Sequence, residues 1–211
     1  MHFNEFSKRL VSYLKSFVSI IFWLLLIFAF TTPAEGCITV LSAVVHESGH
    51  FLYTWLFVKS PSMPYGSLSG LRIRKPFVLS YGEEIMLYLS GPLANLAFAF
   101  MLLPCFLFSY DFARDFLVIN IFTMLSNLLP VEGYDGYGVI LAVAANCGME
   151  QIARRILSCV SFFFTLLMLF ISLYLMYYLN GGYWIFAVFS VSALSFIKKS
   201  LKSQKRSFRE I

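Results

Sequence analysis

Charge is scarce in this chain. Only 13% of its 211 residues are Asp, Glu, Lys or Arg, against about 25% in soluble domains. With 59% apolar residues and a mean hydropathy of +0.77, that deficit excludes an ordinary water-soluble domain. Cysteine is sparse too. Cys37, Cys105, Cys147 and Cys159 are scattered without a CxxC pair, which argues against a disulfide framework or a thiolate metal site. No internal repeat stands out. The formal net charge is +5, but it lies in short patches between apolar runs. It therefore reads as orientation information in a membrane rather than as a nucleic-acid surface.

The long apolar runs remain to be explained. A bilayer span needs about 20 mainly apolar residues, and helices satisfy the backbone of such runs in lipid. The sequence predicts an all-α membrane protein with six transmembrane helices. They cover Phe17 to Thr32, Cys37 to Val58, Glu83 to Phe108, Phe116 to Pro130 with a continuation past Asp135, Ile156 to Leu179, and Tyr183 to Ile197. The first run follows Lys8, Arg9 and Lys15 as a signal peptide would, but it ends in Thr31-Thr32-Pro33 without a small-residue cleavage site. It is read as an anchor.

Lys and Arg favour the cytoplasmic side of short loops. With the N-terminus inside, only Arg114 of the 16 basic residues falls outside, so both termini are expected in the cytoplasm. The basic tail from Lys198 is expected to anchor at anionic headgroups. Three parts follow: 1–36, a cytoplasmic N-terminus and first helix; 37–148, a membrane core; and 149–211, two helices and the tail. Between Lys59 and Gly82, the alternation Leu71-Arg72-Ile73-Arg74 with nearby Pro and Gly fits a short β-hairpin at the cytoplasmic interface. It fits an unstructured basic loop equally well.

His46-Glu47-Ser48-Gly49-His50 sits in the middle of the second run, and it contains two of the chain's three histidines. Residues four apart share a helix face, so both imidazoles can form two corners of a zinc tetrahedron. Glu47 then stands next to the metal. Ionisable groups in a span cost about 2.5–3.5 kcal/mol each, and by default they are functional.

A hydrolytic zinc needs a third protein ligand and one open position. Acidic residues are nearly absent from the spans, and the fourth is broken at Pro130 and Gly133. Such breaks are tolerated only against protein or a wet cavity. Asp135 and Glu132 are the candidates there. Asp135 is preferred because Gly136 leaves room beside it and the helix resumes there. Its bland alternative is a helix N-cap.

HExxH in one span, Asn127-Leu128-Leu129-Pro130 leading to Asp135-Gly136 in a later one, and Ser90-Gly91-Pro92-Leu93-Ala94-Asn95 between them together resemble the site-2 protease family of intramembrane zinc metalloproteases. The resemblance covers about Val44 to Gly136. It implies His46, His50 and Asp135 as ligands of Zn2+, Glu47 as general base, and a three-helix catalytic core. It also implies hydrolysis of peptide bonds within or next to the transmembrane segments of a membrane-spanning or membrane-tethered protein substrate. Asn95 and Asn127 match polar positions near the family's active site, as substrate or oxyanion contacts or as ordinary interhelical bonds.

Neither a PDZ domain in a loop nor a CBS domain in the tail is expected from the lengths of these segments. The compact plan is similar to sporulation-type members, which implies a bacterial cell membrane and leaves a regulatory membrane partner open. A transporter would show broken spans in both halves, whereas here the break is single. A catalytically idle binding protein would have no need of Glu47.

Overall fold

The computed structural model describes residues 17–58, 64–67, 70–73, 79–107 and 111–179, with 190 and 193. Apart from those last two, the expected sixth span lies outside the described residues, as do the N-terminal basic cluster and the tail.

Helix α1 spans Phe17–Phe30 and stops where the chain supplies a strong start signal for the next helix. The Thr32 hydroxyl accepts from the Glu35 N–H at 3.3 Å, and the Glu35 carboxylate accepts from the Thr32 N–H at 3.0 Å. Pro33, with no N–H to lose, takes the first helical position. This reciprocal cap satisfies two donors that the helix itself cannot. It starts α2 at Pro33 and not at Cys37. Helix α2 runs Pro33–Tyr53 and continues as a π-helical turn, Thr54–Val58.

Helix α3 (Tyr81–Leu107) is the centre of the bundle. It packs against α2, α4 (Asp111–Asn127) and α5 (Asp135–Asn146), while α6 (Glu150–Leu179) lies on α5. Small side chains set the spacing. A Cβ on Gly49 would come within 2.6 Å of the Ala94 Cβ, and one on Gly138 would run into the Tyr88 ring. Bundles in lipid lack a hydrophobic drive between helices and rely on close contacts of this kind. Between α2 and α3, Pro64–Ser67 (β1) and Gly70–Ile73 (β2) form an antiparallel ladder with Tyr65 opposite Arg72. The architecture is otherwise all-α.

Two helical segments among the described residues are long and apolar enough to cross a membrane: Tyr81–Pro104, with mean hydropathy 1.7, and Glu150–Tyr178, with 2.5. Their polarity is inverted relative to a water-soluble bundle. On α6 the inner stripe is Leu157, Ser161, Thr165 and Ser172, all buried, while Phe163, Phe170 and Tyr177 are 69%, 68% and 80% exposed. Polar groups inside and aromatics outside suit a hydrocarbon surround.

Candidate metal centre

The HExxH spacing does what helical geometry requires. His46 and His50 lie one turn apart on α2, both buried, with ring centroids 4.8 Å apart and planes at 82°. The third group comes from 85 residues further on. The Asp135 Oδ2 stands 2.9 Å from His46 Nε2 and 3.3 Å from His50 Nε2, and the two Nε2 atoms are 3.2 Å apart. Despite these distances no N–H is aligned on Oδ2, which is buried without a hydrogen-bond partner. One ligand atom from each of the three residues thus faces a common point. A tetrahedral zinc with ligand bonds of about 2.0–2.1 Å has edges of about 3.3–3.5 Å. The observed triangle needs to relax outward by only a few tenths of an ångström. Among the described residues, His46, His50 and Asp135 form a group able to hold a metal ion.

Helix α3 sets the ring orientations. His50 Nδ1 lies 2.7 Å from the Leu87 carbonyl and 3.1 Å from the Ser90 hydroxyl, which itself donates to Leu87 O. With that carbonyl accepting, Nδ1 carries the proton and Nε2 presents its lone pair, as metal-binding histidines require. Gly91 forms the floor: a Cβ there would sit 2.7 Å from His46 Nε2. No other residue type leaves the ligand atoms free.

Asp135 is delivered by the break between α4 and α5. The helix ends at Asn127, Gly133 adopts φ +105°, and Val131 is buried. The Glu132 N–H donates to the Ser161 hydroxyl of α6 at 2.7 Å. Asp135 is the first residue of α5 and not its cap; Tyr134 holds that position without a side-chain bond. Gly136 is required for a different reason from the one expected. The Leu128 and Leu129 carbonyls press against it, so the space beside Asp135 is filled by the turn's own backbone.

The remaining sequence candidates divide. Glu47 follows His46 on α2, and its Oε2 is buried with no hydrogen-bond partner. The Asn95 carboxamide reaches His46 Nδ1 at 3.4 Å. Asn127 turns back on its own helix, donating to the Thr123 carbonyl at 3.0 Å. Glu132 lies outside the His–His–Asp group. Sequence reasoning named Ser90 and Gly91 within a motif but gave them no role, and it missed Asn120 and Ser161 as supports of the site. Asn120 did carry a signal, being a lone amide in the apolar stretch Val118-Ile119-Asn120-Ile121-Phe122.

No family model matches the sequence, and no curated protein matches it. Among solved structures the chain is similar to a site-2 protease from Methanocaldococcus jannaschii. The TM-score is 0.61 at 18% identity, over 87% of this chain and 88% of that one. The two chains share a fold. At that identity, likeness to the site-2 protease speaks for the architecture alone, and the chemistry rests on the donor atoms described above.

Proposed function

We propose that this chain is an intramembrane zinc metalloprotease of the site-2 protease family, hydrolysing peptide bonds within or next to transmembrane segments of membrane-protein substrates. One observation carries the reading: two imidazole nitrogens and a carboxylate oxygen converge with edges of 2.9, 3.2 and 3.3 Å. Two neutral imidazoles and one carboxylate are a donor set of hydrolytic zinc, which keeps a fourth position open. His46, His50 and Asp135 would hold the zinc, which would supply Lewis acidity for a carbonyl oxygen and for a water whose pKa such an ion brings to about 7.

Glu47 is the general base. Its buried, unbonded Oε2 accepts the proton of the attacking water and returns it to the departing amine. The Leu87 carbonyl holds the His50 ring throughout. An oxyanion contact from Asn127 requires its amide to leave the Thr123 carbonyl.

A helical substrate shields its peptide bonds and must unwind before cleavage. An unwound segment can add to the β1–β2 ladder through main-chain hydrogen bonds. The inverted polarity of α6 supports a bilayer setting, a bacterial cell membrane in this reading. The distribution of basic residues supports cytoplasmic termini. The partners in this reading are a membrane-spanning or membrane-tethered protein and the lipid itself, with a regulatory membrane partner left open and no nucleic acid. The test is cleavage of a membrane-spanning substrate in proteoliposomes. The parent protein should cut it and Glu47→Gln should not; equal rates would overturn the mechanism.

A further inference from the structure

One helical turn from the ligand layer lies a second buried polar layer. Ser42 on α2, Asn95 on α3 and Asn120 on α4 are each 0% exposed. The Ser42 hydroxyl donates to Asn120 Oδ1 at 3.1 Å, the Asn120 amide donates to the Asn95 backbone carbonyl, and the Asn95 carboxamide meets His46 Nδ1. Ser42 precedes His46 by four residues, and Asn95 follows Gly91 by four. The chain of contacts therefore runs from three helices into one metal ligand.

We propose that Asn95 is a positioning residue of the metal centre, accepting a hydrogen bond from His46 Nδ1–H, with Asn120 and Ser42 holding its helix in register. The inference rests on the zinc reading above and deepens it. A metal on Nε2 leaves the proton of neutral imidazole on Nδ1, so the neighbour of Nδ1 must be an acceptor. Asn95 Oδ1 is a buried acceptor without a partner, while its NH2 faces the ring. A half-turn of the carboxamide exchanges the two atoms without changing the packing, because oxygen and nitrogen occupy nearly the same shape. His46 is then fixed by Asn95, as His50 is by Leu87. This gives Asn95 a task other than an oxyanion contact, and it gives the missed Asn120 a reason to be buried in an apolar helix.

The test is zinc affinity of the full-length protein in detergent, measured by competition with a chelating dye. Asn95→Leu removes the acceptor at similar volume and should weaken zinc binding about 10–100-fold, the usual effect of losing such a partner. Asn95→Asp keeps an acceptor oxygen and should hold zinc within a few-fold of the parent. Should the leucine variant fail to fold, Asn95→Ala withdraws the acceptor without adding bulk and should show the same loss. Parent-like affinity without the acceptor would overturn the proposal. So would equal loss in the aspartate and leucine variants, which would mark a packing requirement. A parent protein that binds no zinc overturns the zinc reading as well, and that result is distinct from normal parental binding with an unaffected leucine variant.

Discussion

Helices α2 and α6 carry the same pattern, a polar stripe turned inward and apolar side chains turned outward, yet they use it differently. On α6 the hydroxyls are largely satisfied at home: Thr165 donates to the Ser161 carbonyl at 2.8 Å and Ser172 to the Leu169 carbonyl at 2.8 Å. On α2 the polar groups reach across to other helices. His50 is bound at Leu87 of α3, His46 touches Asn95 of α3, and Ser42 bonds Asn120 of α4. A hydroxyl that bonds its own helix allows close packing and specifies little. A ring whose far nitrogen is held by a neighbouring helix is aimed, and the aim leaves its other nitrogen facing Asp135. The difference separates a supporting helix from one that builds a site.

The sharpest way to break that comparison is to remove the group on which both aimed rings converge. Asp135→Ala should release the metal and reduce proteolysis to background. Loss of a general acid–base alone costs about 10²–10⁴ in rate, and loss of the metal should cost at least as much. The check pairs metal content with cleavage in proteoliposomes. Retained zinc with full activity would show that the aspartate is not a ligand.

A smaller effect is expected from crowding the floor of the site. A methyl at Gly91 would sit 2.7 Å from His46 Nε2, so Gly91→Ala must push the ring or α3 aside. Overpacking of this kind costs about 1–3 kcal/mol. It should appear as a lower thermal midpoint and weaker zinc binding together. A change in the midpoint alone would mean that α3 shifts and leaves the rings in place.

The smallest effects lie on α6, where two serines sharpen the contrast. Ser161 accepts the Glu132 N–H in the turn that delivers Asp135. Ser161→Ala strands that donor, at a cost of about 1–3 kcal/mol, and should lower proteolytic rate as well as stability. Ser172→Ala removes only a bond within its own helix and should cost about 0.6 kcal/mol or less, with activity unchanged. Equal effects of the two substitutions on rate would erase the distinction drawn between them.

Much of the arrangement was legible in the sequence because its signals are local. Apolar length placed the third expected span at Glu83 to Phe108, and α3 runs Tyr81–Leu107. The i, i+4 spacing put both histidines on one face. Pro130 and Gly133 marked the break that frees Asp135 to face them. The start of α2 was misjudged by four residues because Thr32 and Glu35 form a capping box that hydropathy does not register. The Ser42–Asn120–Asn95 layer was not legible at all. Ser42 and Asn120 are 78 positions apart, and a buried amide reveals its partner only when three helices are packed. The reason for Gly136 was hidden likewise, since the carbonyls it must admit belong to a turn whose path depends on Gly133.

X-ray absorption at the zinc edge of the purified protein tests the central claim most directly. The account predicts one zinc per chain with four light-atom ligands at about 2.0–2.2 Å and multiple scattering from imidazole. That signature should disappear together with the zinc in the Asp135→Ala protein. Zinc bound through sulfur at about 2.3 Å, or held unchanged without Asp135, would contradict it.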